Sequence, residues 1–150
     1  MDEPLTVRRE VQIAAPPATV FAFLIDPEKL LRWLGADAKM EPQPGGIYLV
    51  NVGGKNIARG KFTEVIPVHR LAYSFGWEAR EHMPPGSGLI EIDLEDHGGG
   101  TLLRMTHSGL PNAEETASHG RGWAHYLARL AVAAAGGDPG PDPKAQVKPK

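Results

Sequence analysis

The chain has no cysteine. A disulfide framework, a thiolate nucleophile and any metal site built on cysteine are therefore excluded. It also has no apolar run near the roughly 20 residues that cross a bilayer, so no membrane span is expected. Long runs of one charge are missing too, and the formal net charge is only -2 over 150 residues. Without a basic stripe, nucleic acid is not an expected partner. Without a polybasic segment, neither is an anionic membrane surface. The N-terminus, MDEPLTVRRE, lacks the apolar core of a signal peptide, which makes the cytoplasm the default location.

What the chain does have is glycine, 18 residues, and proline, 14 residues, spread as punctuation through an apolar share of 41%. That share is enough for one hydrophobic core in a domain of ordinary size. Residues 5–13 alternate, with Leu5, Val7, Val11 and Ile13 on one face, as in a half-buried strand. Arg9 interrupts that face and suggests a sheet edge. In AAPPATVFAFLID, the prolines suit the first turn of a helix, and Val20, Phe21 and Leu24 follow at helical spacing. Asp26-Pro27 then reads as a stop and a new start, and Leu30, Leu31, Trp33 and Leu34 predict a second short helix ended by Gly35. Beyond residue 36 the turns PQPGG, NVGGKN, PPGSG and DHGGG separate strand-like runs at 47–52, 57–65, 70–78, 89–95 and 101–107. Short glycine-rich turns between successive strands predict an antiparallel meander of about six strands.

The last element differs in period. Trp123, Leu127, Leu130, Ala131 and Ala134 form one apolar stripe on a helix of several turns. Asn112 with Glu114 and Glu115 suits its start, and Gly136 and Gly137 its end. A stripe of this kind needs a surface, and the sheet needs cover for one face, so each is expected to pack on the other. The predicted fold class is α+β: a curved antiparallel sheet around a long C-terminal helix, with the short helices closing one end. Residues 1–135 are expected to form one domain. The tail from 136 to 150, rich in proline, lysine and aspartate, is expected to be disordered.

Several segments in this order resemble a known superfamily, the START-like or SRPBCC proteins. They are IAAPPATVFAFLIDPEKLLRWLG, PGGIYLV with ARGKFTEVIPVHRLAYSFGWE, GGGTLLRMTHSGLP, and the helix HGRGWAHYLARLA. The chain looks most like the branch called activator of heat-shock protein 90 ATPase homologue-like, over about residues 8–135. The resemblance implies a helix-grip fold with a cavity between sheet and helix. Relatives in the superfamily bind lipids, hormones or polyketides, and some are cyclases or hydrolases. The branch takes its name from a eukaryotic co-chaperone domain.

The candidate cavity residues follow from that architecture. Trp123 and Leu127 would face the sheet from the long helix, with the neighbouring Gly120 and Gly122 permitting close approach. Tyr73, Phe75 and Trp77 share a strand face and could form an aromatic wall with a tyrosine hydroxyl as polar handle. Met105 and His107 face the same way from a later strand, and Tyr48 from an earlier one. Phe23 and Trp33, on the short helices, could line or gate the mouth. For each of these, core packing is the plainer alternative. His107 is the sharpest polar candidate, able to orient a ligand or act as acid or base. The plainer reading is a core histidine bonded to backbone, and no orienting carboxylate is identifiable from sequence. His119 and His125 flank Trp123 but are six residues apart and point to different helix faces, so they do not make a helical metal pair. Glu91, Asp93 and Glu95 alternate on a face that is either solvated or open to a basic partner.

The leading expectation is a non-enzymatic binder of a small apolar or amphipathic molecule, with no cofactor, no metal and no catalytic residue. A chaperone-associated interaction module, or a homodimer, is the second. A cyclase- or hydrolase-like enzyme using His107 is the third.

Overall fold

The computed structural model describes residues 5–53 and 56–140. The chain forms β1 (Val7–Ile13), α1 (Pro17–Ile25), α2 (Pro27–Leu30), β2 (Asp37–Met40), β3 (Ile47–Gly53), β4 (Asn56–Ile66), β5 (Arg70–Phe75), β6 (Gly88–His97), β7 (Gly100–Ser108) and α3 (Ala113–Ala134). All neighbouring strands pair antiparallel in a seven-stranded sheet of order β1-β7-β6-β5-β4-β3-β2. Strands β2 to β7 form a simple meander. β1 is the exception, returning from the N-terminus to pair with β7, from Val7 opposite His107 to Ile13 opposite Thr101. The sheet curves around α3 in the helix-grip arrangement that the sequence predicts.

Local chemistry accounts for most boundaries. Pro16 caps α1 in an extended conformation and Pro17 opens it, where a missing N–H costs nothing. Asp26 ends α1 and caps α2, its carboxylate accepting from the Glu28 N–H at 3.0 Å. Asn112 does the same for α3, accepting from the Glu115 N–H at 2.8 Å. β2, only four residues long and pairing with β3 alone, has no alternating apolar pattern. β4 carries a bulge between Phe62 and Glu64, where Thr63 is the extra residue. Gly60 marks a close approach of β4 to β5: a Cβ there would fall 1.7 Å from the Ser74 carbonyl oxygen.

The inner face of the sheet and the stripe of α3 make one core. Ile13, Val50, Phe62, Leu71, Ile90, Ile92, Leu103 and Met105 project from the strands, and Leu127, Leu130 and Ala133 from the helix, all essentially buried. Each fully buried aliphatic or aromatic side chain contributes about 1.5–3 kcal/mol relative to exposure. α1 packs against α3 and against β6 and β7, and α2 against β2, which closes one end.

Arg129 does what its position in an apolar stripe does not suggest. It is 9% exposed. Its Nε donates to the Trp33 carbonyl at 3.0 Å, Nη1 to that of Pro139 at 3.2 Å and Nη2 to that of Gly140 at 2.9 Å. Thus α3 holds both the segment after α2 and the chain just beyond its own end. Residues 138–140, part of the stretch for which disorder is expected, are placed by these bonds. The rest of that stretch, 141–150, lies outside the described residues. Replacing Arg129 by Met should keep the apolar stem and strip donors from these carbonyls. Urea denaturation should show a loss of about 2–4 kcal/mol, and a loss below about 0.5 kcal/mol would show that the carbonyls find other partners.

Candidate functional site

A cavity lies between the sheet and the N-terminal half of α3. It measures about 220 Å³ and opens to solvent on one side. Tyr48, Val52 and Ala58 come from β3 and β4, Phe75 from the end of β5, and His119, Gly122, Trp123 and Tyr126 from α3. Leu34 closes the end near α2, and Trp77 and Arg80 belong to the long β5–β6 connection that forms the rim.

The aromatic residues expected at the cavity divide into wall and core. Tyr48, Phe75, Trp77 and Trp123 are on the wall. Tyr73, Met105, His107 and Leu127 face inward but are packed in the core behind it, none more than 4% exposed. Phe23 and Trp33 belong to the packing of the short helices, where the Trp33 Nε1–H donates to the Phe23 carbonyl at 2.9 Å. Lys29 and Arg32 flank the Phe23 ring, 5.8 and 5.9 Å from its centroid.

Two indole–imidazole bonds organise the region. The Trp123 Nε1–H donates to His107 Nδ1 at 3.1 Å, and the Trp77 Nε1–H donates to His119 Nε2 at 3.1 Å. An indole nitrogen can only donate, so each accepting imidazole nitrogen carries no proton. His107 is therefore the Nε2–H tautomer. His119 is the Nδ1–H tautomer, and it donates to the Glu115 carbonyl at 2.8 Å. The two imidazoles meet edge to face with centroids 5.3 Å apart. His107 is bonded to an indole rather than to backbone, and its buried Nε2 has no hydrogen-bond partner among the described residues. Burial, with a contribution from His119, pushes the His107 pKa down to about 3. Burial likewise lowers that of His119, against the opposing pull of the Glu115 carbonyl and carboxylate.

Tyr48 and Tyr73 stack with centroids 4.1 Å apart. Burial pushes Tyr48 up to about 12 and Tyr73 well above its ordinary value, so both hydroxyls stay protonated. Tyr73 does not line the cavity, so its hydroxyl is not the polar handle that the sequence suggests. At the rim, Glu115 accepts from His82 at 2.8 Å and lies 3.7 Å from Arg80. His82, before the nearby arginine and histidine charges, holds the Glu115 carboxyl below its usual value. The β5–β6 connection is thus clamped to the first turn of α3. Among the described residues no three histidine, aspartate or glutamate side chains converge as a metal site would require.

The helix glycines separate in role. A Cβ on Gly120 would fall 2.8 Å from Arg9 Nη2, so Gly120 permits the close approach of β1. A Cβ on Gly122 would meet nothing within 4 Å. Gly122 therefore opens space rather than permitting contact. Sequence reasoning passed over Arg80, weighed His119 only as a metal ligand, and took Gly122 as a site of close approach, which the open space beside it corrects. The signal available was glycine inside a long helix.

Residues 14–135 match the family described as activator of Hsp90 ATPase homolog 1-like protein. The chain belongs to this family. Among solved structures it is similar to an AHSA1-like protein of Rhizobium etli, at 64% identity over 95% of this chain and 92% of that one, with a TM-score of 0.75. It is also similar in fold to the Aha1 dimer of Colwellia psychrerythraea, at 22% identity over 88% and 97% of the two chains, with a TM-score of 0.78. CalU16 from Micromonospora echinospora shares the fold at 24% identity over 94% and 86%, with a TM-score of 0.72. No curated protein matches the chain.

The tautomers have a consequence for stability against pH. The folded pKa of His107 lies below its ordinary 6.5. Below about pH 6.5 the unfolded chain binds a proton that the folded chain does not, so stability is full above that pH and falls as pH drops toward the folded value. From about pH 7.5 to about 5.5 His107 alone should remove about 1.4 kcal/mol, and His119 adds to the loss in the same direction. Urea titrations at the two pH values would measure it. In His107→Gln the His107 share of this dependence should vanish; an unaltered dependence would show that the folded histidine is already charged.

Proposed function

We propose that this protein is a non-enzymatic binder of a small apolar or amphipathic molecule, held between the sheet and α3. Gly122 carries the reading. A glycine inside a helix is about 0.8–1 kcal/mol worse than alanine, and here the space for a methyl group is vacant. The loss goes to keeping open a cavity whose wall is mostly aromatic and aliphatic. Apolar concavities with a few polar groups are the usual form of a small-molecule site. The chemistry of the wall points the same way. The accepting nitrogens of His107 and His119 are taken by indole N–H groups, and the tyrosine hydroxyls are held protonated. Among the described residues around the opening, neither histidine keeps a free accepting nitrogen. The protein would work in the cytoplasm, where such a molecule is met in solution.

Substitutions at Gly122 test the reading without damaging the core. Gly122→Ala should stabilise the fold by about 0.5–1 kcal/mol in urea denaturation. Gly122→Leu should fold and fill the cavity. Thermal-shift screening and native mass spectrometry should then find ligands for the wild type that Gly122→Leu does not take. Equal binding by both proteins would place the ligand elsewhere, and no ligand for either would remove the proposal.

A second copy of the chain is the other partner we propose. The Colwellia relative is described as a dimer, and β2 stands at the end of the sheet, with no strand paired to its outer edge among the described residues. A strand edge is a ready template for another chain. Sedimentation velocity over a hundredfold range of concentration should show a dimer; a monomer throughout would remove this part. A chaperone-associated role follows from the family name alone.

A further inference from the structure

Among the described residues, Arg80 is the only formally charged side chain on the cavity wall. Its guanidinium lies over the Trp77 ring, 4.8 Å from the centroid. It makes no hydrogen bond among the described residues, and its nearest carboxylate oxygen, on Glu115, is 3.7 Å away. Glu115 is turned toward His82, at 2.8 Å, and does not line the cavity. Stacking on Trp77 therefore holds the cation at the rim while leaving its donors open. The other exposed polar side chains of the wall are Ser118 and Asn56, both able to donate. Among the described residues, no carboxylate lines the opening.

We infer that the ligand is a small amphipathic anion, an aromatic or short aliphatic carboxylate whose apolar body lies against Phe75 and Trp123 and whose head group meets Arg80. This rests on the ligand-binding reading above and narrows it. A planar guanidinium suits a carboxylate because its paired N–H groups match the two oxygens. Size narrows it further. A cavity of about 150 Å³ holds benzene, so about 220 Å³ has room for one ring and a short tether. Larger fused-ring systems and long acyl chains would not fit inside.

The probes are hydrocinnamate and its amide, hydrocinnamamide, which share shape and differ in charge. Binding would be followed by chemical-shift changes in amide spectra of the full chain, which also report whether each variant is folded. The acid should bind about tenfold more tightly than the amide, equivalent to ~1.4 kcal/mol. The preference is kept to that size because Glu115 competes for the same guanidinium. In Arg80→Gln the acid should fall to the affinity of the amide, while the amide is unchanged. Arg80→Lys should keep part of the preference. Amide and acid binding equally in the wild type would overturn the anionic class and leave the cavity as a binding site. An acid preference that survives in Arg80→Gln would overturn the role of Arg80. If neither probe binds, this inference fails, and the wider screen on the wild type and Gly122→Leu decides whether the binding reading fails with it.

Discussion

The site depends on seating two indole rings between sheet and helix, Trp123 buried and Trp77 half-buried, without abandoning their N–H groups. An unpaired buried donor costs about 1–3 kcal/mol, and the space between sheet and helix offers few acceptors. Here each donor is given an imidazole nitrogen. The Trp123 bond to His107 ties α3 to β7, and the Trp77 bond to His119 ties the β5–β6 connection to α3. Both bonds require neutral histidines, which burial favours. The rings also touch one another, with Phe75 in edge-to-face contact with both Trp77 and His107 at 5.3 and 5.0 Å. The cavity is the space left on the open side of this cluster. Its position is therefore set by the pairing that seats the helix.

The outer face of the sheet is organised by a different rule. The acidic row on β6 does not wait for a basic partner. Arg70, on β5, reaches Glu64, Glu91 and Asp93 at 2.7–2.9 Å, and Arg104, on β7, reaches Glu10 and Glu95 at 3.0 and 2.7 Å. These arginines lace the strands from β4 to β1. Exposed pairs of this kind add little stability each. Their effect is on specificity: a slipped register would set like charges opposite one another.

Much of this was legible in the sequence. Alternation located β1 and most of the meander, and the stripe from Trp123 to Ala134 located α3, because burial on one face leaves a period that no other constraint erases. β2 was not individually legible, since four residues with one buried side chain leave no period. The division of the aromatic residues into wall and core was not legible either. Pattern says which way a side chain points, but whether it meets a neighbour or empty space depends on how the opposing helix sits. Tyr73 and Tyr48 both point inward; one is covered and the other borders the opening. Arg129 shows the same limit in reverse. It occupies a buried position in an apolar stripe, and only the carbonyls brought to it from residues 33, 139 and 140 make that tolerable.

The site's chemistry was the least legible part, because it depends on which lone pairs are already used. His107 in sequence is a titratable group facing an apolar interior, which is equally the description of a catalytic base and of a structural acceptor. The indole donor decides between them. A nitrogen that accepts from Trp123 cannot also take a proton from a substrate unless that bond breaks first. Breaking it would leave a buried indole N–H exposed to nothing and loosen the helix from β7. The same holds for His119 and the rim. Proton transfer at either histidine would thus be opposed by the bonds that hold the cavity in shape. Recognition meets no such opposition, because the open groups of the wall are aromatic faces and the guanidinium of Arg80, which makes no hydrogen bond among the described residues. A cavity whose histidine nitrogens are committed to its own architecture, while a cation stacks at its rim, accords with the binding role proposed above.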